Sequence, residues 1–179
     1  VVREERKVFK TAPLNLFIKV ATVFAVGTYA WMLRDAYEDI VVLREPGAAY
    51  EYGGFGVLFT LILLLCGVLA PRRYVVGRDW LVIRKALWSV CIPYREILSV
   101  EIKEKVIPRF YVGIGGLFSL CGIVYAESGD GKEWVRMHAT NWKRMVRIKT
   151  RSGDPYYLSP ADPEKFVAAL KEHLGEKER

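Results

Sequence analysis

Histidine is nearly missing from this chain: there are two among 179 residues, His138 and His173. Neither has a serine, cysteine or carboxylate at a spacing that builds a nucleophile–base pair, so each reads as a structural or surface histidine. Cysteine is almost as scarce, with three. Cys66 lies in an apolar run, Cys91 in a strand-like stretch and Cys121 after a glycine-rich segment, with no C-x-x-C and no Cys/His cluster. Neither a disulfide framework nor a zinc site is implied, and the pattern favours a reducing compartment. There is no phosphate-binding loop and no dinucleotide fingerprint; Gly113-Ile114-Gly115-Gly116 has the wrong spacing and no helical pattern after it. Glu101 and Glu104 are close in sequence but leave opposite faces of a strand, which rules against an acid/base pair. No catalytic residue, metal ligand or cofactor is expected, and the chain reads as a non-enzyme.

Acidic residues are the minority charge, 20 against 27 Lys and Arg, for a formal net charge of +7. The residues after Ala70 carry all of that excess. Such an excess suits an anionic membrane surface, nucleic acid or a solvated face. Trp134, Trp142 and Tyr156 lie near basic residues, but no nucleic-acid-binding motif is present and no nucleic acid partner is expected. Hydrophobic residues reach 52% while charged ones still make up 26%. The two figures agree because the apolar residues are concentrated before Pro71.

Two apolar runs account for that concentration, residues 14–33 and 54–70. As helices, each is on the order of 26–30 Å long, about one hydrocarbon core, and both are expected to span a membrane. The first contains Lys19, close enough to one end to reach the interface with its long side chain. No acidic residue shares that run, so an ion or proton pathway is the lesser reading. Tyr29 and Trp31 near the end of the first run, and Tyr50 and Tyr52 near the start of the second, are placed for an aromatic belt on one side. A cleaved signal peptide ending near Ala25-Val26-Gly27 is the other possibility, opposed by Lys19 and by the second run. Arg3, Arg6, Lys7 and Lys10 precede the first run, and Arg72, Arg73 and Arg78 follow the second. The intervening residues 34–53 hold only Arg34 and Arg44. Basic flanks stay inside, which predicts a multi-pass cell-membrane protein with both termini cytoplasmic and an external loop at 34–53. Residues 1–13 are then a cytoplasmic segment and 71–179 a cytoplasmic domain.

That domain reads as short strands and tight turns. Tyr74-Val75-Val76, a turn at Gly77-Arg78-Asp79 and Trp80 to Lys85 form a hairpin. Further strands follow at Ser89, at Ile97 to Val106 with its two-residue alternation, through the glycine-rich stretch from Pro108, and on either side of the turn from Ser128 to Gly131. Met145 to Thr150 alternates again, and a turn at Arg151 leads to Tyr156-Tyr157-Leu158. Asp162-Pro163-Glu164 starts a helix whose stripe is Phe166, Val167, Leu170 and Leu174, closed by Gly175. Seven or eight strands and one amphipathic helix describe a mainly-β sandwich or barrel capped by a C-terminal helix.

From Tyr74 to Leu174 the chain resembles the bacterial and archaeal pleckstrin-homology-like (PH) domains of membrane proteins. The residues that carry the likeness are Ile92-Pro93, Glu96-Ile97, Ser99-Val100-Glu101, Arg109, Gly116-Leu117-Phe118, Gly122 and Tyr125, then Val146-Arg147-Ile148 and Thr150. The most specific stretch is Tyr157-Leu158-Ser159-Pro160 with Asp162-Pro163-Glu164 and Phe166. Helices ahead of such a domain also match the family's arrangement, while the charged segment 127–143 is longer than usual. The resemblance implies a PH-like fold and supplies no catalytic residue or ligand. Phosphoinositide-binding PH domains use several basic residues around the first strand loop; here that loop has Arg78 followed by Asp79. The remaining candidate is a basic row, Lys143, Arg144, Arg147, Lys149 and Arg151, for anionic lipid headgroups or an acidic protein surface. Two functions are expected to compete. One is a membrane-anchored non-catalytic adaptor or binding module; the other is a structural or accessory subunit of a larger membrane complex, for which Ala21 and Ala25 would suit helix packing.

Overall fold

The computed structural model describes residues 6–43, 48–115, 118–129, 131–151 and 153–175. Arg3 of the basic flank, Arg44 of the expected loop, Gly116, Leu117, Asp130 and Ser152 lie outside them, as does the side chain of Tyr50.

The first strand lies where the sequence suggested only a basic flank. In β1, Lys7–Lys10, side chains alternate between half-buried and exposed. Phe9 faces inward, and its ring meets Phe166 edge-on at 5.2 Å. The chain then enters α1, Leu16–Tyr37, with Asn15 as its N-cap accepting from the Phe17 N–H. A π-helical turn over Glu38–Leu43 extends it, and α2, Ala48–Leu69, returns. Much of the expected loop 34–53 is therefore helical. Its acids do not interrupt the helix because they find local partners: Arg34 pairs with Glu38 at i,i+4, and Tyr52 donates to Asp39 at 2.7 Å. Tyr29, expected in an aromatic belt at the loop end, also contacts the second helix. It stacks on Phe59 at 5.3 Å and its hydroxyl bonds Thr60, so it joins the two helices. Leu16–Val41 and Tyr52–Leu69 are long and apolar enough to cross a membrane, and only 6% of either stretch is buried.

After α2 comes β2, Arg73–Val76, which pairs antiparallel with β1 from Lys7↔Val76 to Lys10↔Arg73. The helical hairpin is thus an insertion between two neighbouring strands. β3, Trp80–Arg84, and β4, Ser89–Pro93, complete a four-stranded sheet in the order β1-β2-β3-β4. The second sheet is built from β5, Ile97–Lys105, β6, Ile107–Gly115, β7, Leu120–Ser128, β8, Gly131–Ala139, β9, Lys143–Thr150, and β10, Tyr156–Leu158. Its order is β5-β9-β10-β8-β7-β6, with β10 parallel to β8 and the other pairs antiparallel. α3, Pro163–Gly175, closes the sandwich, with Asp162 accepting from the Lys165 N–H at its start.

Two cores result. Tyr74, Leu81, Ile83 and Ile92 of the first sheet meet Val100, Val146, Ile148 and Leu158 of the second, with Phe166, Val167 and Leu170 of α3. On the other face of the second sheet, Val106, Val124, Val135, Met137, Met145 and Tyr157 enclose Ile18. The C-terminal helix therefore plugs one core and the first turn of α1 plugs the other. Ser159, fully buried, ties them together: its hydroxyl accepts from the Thr140 N–H, its N–H donates to the Tyr74 hydroxyl, and its carbonyl accepts from the Ala12 N–H.

A fragment starting at Pro71 lacks β1, which leaves the β2 edge open and Phe166 without its aromatic partner. Residues 71–179 joined through a short glycine–serine linker to residues 6–13 should melt cooperatively. The same fragment without residues 6–13 should be less stable by about 3 kcal/mol or remain unfolded. Circular dichroism melts of the two compare them directly; equal midpoints would show that β1 contributes nothing.

Candidate functional site

The basic row on β9 divides in the fold. Its alternation does put Arg147 and Lys149 on one face, but Met145 of that face is fully buried in the second core. Both faces of β9 are therefore covered over part of its length. Arg147 is only 15% exposed and donates to Glu133 at 2.8 Å, with Glu101 at 3.8 Å. The hydroxyl of Tyr157 donates to the same Glu133. These contacts make Arg147 a paired, half-buried charge whose removal would strand two carboxylates. Arg144, at φ 52°, pairs with Glu164 and with Glu104. Lys143, Lys149 and Arg151 are exposed. Six residues of strand separate Lys143 from Lys149, roughly 20 Å, so the five side chains do not form one patch.

A different basic cluster forms at the edge of the first sheet. The register sets Lys10 opposite Arg73 and Arg73 opposite Arg84, and all three are exposed. Directly opposed side chains start from Cβ atoms about 5 Å apart, so this is a row of three like charges across neighbouring strands. Arg72 adjoins it, its N–H donating to the Arg84 carbonyl at 2.8 Å. Among the described residues none of these four side chains is ion-paired. On the same face a hollow of about 270 Å³ is lined by Val75, Trp80, Val82, Arg6, Arg78 and Arg84, with Asp79 as its acid. The sequence showed Arg72 and Arg73 as a helix flank and Lys10 as part of another. The β2–β3 pairing sets Arg73 beside Arg84, and the β1–β2 pairing adds Lys10 to the row.

The row stands beside the helix ends. Leu69, the last residue of α2, accepts from the Cys121 thiol at 3.1 Å, and the Val68 carbonyl accepts from the Ala86 N–H at 3.3 Å. On α1, Thr22 accepts from the Phe118 N–H at 3.3 Å. Asn15 donates its N–H to the Thr140 carbonyl, and Phe17 meets the Trp142 ring at 5.9 Å. Sandwich and helices are thus joined by packing and hydrogen bonds, not by a bare linker. Lys19, one residue past buried Ile18, is exposed where the domain surface ends.

No acid/base pair assembles around either histidine. His138 is pushed down to about 3 by burial, with Lys85 and Arg136 adding to the effect. It is a neutral ring at physiological pH, stacked near Tyr156 at 6.1 Å. His173 stacks on Tyr94 at 5.9 Å. Among the described residues no cluster of three His, Cys, Asp or Glu side chains could hold a metal ion.

A two-sheet sandwich closed by a C-terminal helix and carrying an exposed charged edge defines a small PH-like module. The family model described as Bacterial PH domain matches residues 72–174, more than half of the chain, and the chain belongs to that family. PH domains are in general non-catalytic binding modules. No curated protein and no solved structure matches the chain. The match begins after α2, so β1 and the helical hairpin lie outside it.

Half-buried His138 sets a pH dependence. Unfolded, its imidazole takes a proton below about 6.5, whereas in the fold it does so only near 3. Its contribution is therefore fully present above pH 6.5 and is lost as pH falls. By pH 5 the loss should reach about 2 kcal/mol. Carboxylates held low by their partners, Glu127, Asp162 and Glu172, add their losses only at more acidic pH. Unfolding measured from pH 7.5 to 5 should show this decline in the native chain and a much flatter profile in His138→Phe. Parallel profiles would remove His138 from the account.

Proposed function

We propose that this chain is a membrane-anchored, non-catalytic PH-like binding module at the cytoplasmic face of the cell membrane. In this reading α1 and α2 cross the bilayer as a hairpin, with both termini cytoplasmic. The domain's basic edge then meets anionic lipid headgroups. The observation that carries the reading is the cross-strand row Lys10, Arg73 and Arg84, without an ion pair among the described residues and placed beside the end of an apolar helix. Three like charges in that register repel one another, and a layer of headgroup phosphates relieves the repulsion. Lys19, exposed near the start of α1, reaches the phosphates with its own long side chain. Lys143 and its cross-strand partner Lys105, both exposed, supply a further basic pair on the second sheet. Lys149 and Arg151 are farther along β9 and are left to contacts with an acidic partner.

A second reading, an accessory subunit of a larger membrane complex, is favoured by a different surface. Phe110, Val112, Ile123 and Trp134 are 44–60% exposed on one face of β6, β7 and β8. An aromatic face of that kind suits a protein partner.

The intact chain in neutral detergent, titrated with phosphatidylglycerol or phosphatidylcholine and followed by native mass spectrometry, separates the two. Each basic residue near an anionic surface is worth about 1 kcal/mol, so K10Q/R73Q/R84Q should weaken phosphatidylglycerol binding by roughly 100-fold. Binding of phosphatidylcholine should not change. If the triple variant binds both lipids like the native chain, while crosslinking in native membranes captures one dominant protein, the subunit reading replaces the first.

A further inference from the structure

The turn between β3 and β4 is built against the last turn of α2. Ala86 donates its N–H to the Val68 carbonyl, and the Lys85 N–H donates to the Trp88 carbonyl at 3.0 Å, which closes the turn. Lys85 also places its ammonium over the Trp88 ring, 5.6 Å from the centroid. The side chains this turn presents are apolar: Leu87 is 77% exposed and Trp88 45%. A large aliphatic side chain that exposed is unfavourable in water, yet here it is held at the tip of an ordered turn. The geometry leaves little choice about its surroundings. The turn's backbone is hydrogen-bonded to the last turn of α2, where Val68 and Leu69 are half-buried while many of the helix residues before them are exposed, so what surrounds the end of α2 also surrounds Leu87 and Trp88.

We propose that the β3–β4 turn, Lys85 to Trp88, is a wedge that enters the interfacial layer of the bilayer alongside α2. Leu87 sits among the upper acyl carbons, Trp88 at the headgroup boundary where its amphipathic ring is favoured, and Lys85 and Arg84 at the phosphates. The occupant of this surface is the bilayer, because the turn is continuous with the end of α2. The proposal rests on the membrane-anchored reading of the helices. The β6–β7 end works in the same direction: Phe118 is hydrogen-bonded to Thr22, three residues past Lys19, so that hairpin also reaches beyond the helix start. The domain would then be held to the membrane at its helices and along its lower edge, with a fixed orientation toward the cytoplasm.

Site-directed spin labels on the intact chain in lipid vesicles test this and distinguish its failure from that of the anchor. In a background with Cys66→Ala, Cys91→Ser and Cys121→Ser, single labels are placed at Leu87, at Val26 in α1 and at Leu98 on β5. Val26 is 44% exposed and Leu98 51% exposed, so both positions accept a label. Collision with oxygen reports lipid and collision with a nickel chelate reports water. The expected result is lipid-like behaviour at 87 and 26 and water-like behaviour at 98. Water-like behaviour at 87 with lipid at 26 would overturn the wedge and leave the anchor standing; water at both would overturn both. As a check that needs no label, Trp88→Phe should remove a major share of the tryptophan quenching caused by vesicles with lipids brominated near the headgroup. Unchanged quenching would also count against the wedge.

Discussion

The pairing of β1 with β2 is the constraint on which the other features depend. Lys10 and Arg73 are opposed across two strands although the whole helical hairpin lies between them in the chain. A hairpin inserted this way begins and ends at one place on the sandwich, so its two helices must leave side by side. Their antiparallel contact through Tyr29, Phe59 and Thr60 is what that geometry requires. A hairpin attached by one flexible linker would impose no such condition on the domain's orientation.

The hydrogen bonds around Ser159 make the joint stiff. Ser159 belongs to the stretch most characteristic of the family, and its neighbours explain the need for a small hydroxyl there. Its oxygen accepts from Thr140, whose own hydroxyl donates to the Ala12 carbonyl at 2.6 Å. Larger or apolar residues would leave buried donors without partners, at about 1–3 kcal/mol each. The chain just ahead of α1, the β8–β9 turn and the end of β10 are thereby fixed to one another. Ile18 then completes the second core from the helix side. The fold thus links the packing of the helical hairpin and of the sandwich in one continuous structure, which is why the basic edge and the β3–β4 turn have defined positions relative to α2.

Local sequence carried the features that depend on local physics. The apolar runs stood out by composition, and α3 by its Asp162–Pro163 start and the stripe from Phe166 to Leu170. Several strands stood out by alternation, as in Leu98 to Lys103. Features set by non-local pairing were not legible. β1 is four residues long and finds its partner only across the helices. β10 has three residues, too few for a periodic signal, yet it inserts between β8 and β9. Arg147 looked solvent-facing because Val146 and Ile148 occupy the other face of β9. Its low exposure goes with its neighbours: Glu101 is its register partner on β5, and Glu133 reaches it from β8. The charged row Lys10–Arg73–Arg84 was present as three unrelated basic residues until the register joined them.

The direct measurement is a cross-strand disulfide in the intact chain. Val8 and Val75 are register partners on β1 and β2, on the outer face of the first sheet. Native Cys91 is the register partner of Val82 and supplies a control within the same sheet. With the other cysteines replaced, Val8→Cys/Val75→Cys should form a disulfide under mild oxidation in membranes, detected as a linked peptide by mass spectrometry. Its yield should match that of Val82→Cys with Cys91, because both pairs are opposed at cross-strand distance. A linked control with no link between positions 8 and 75 would contradict the account, because the helical hairpin would then not be inserted between paired strands.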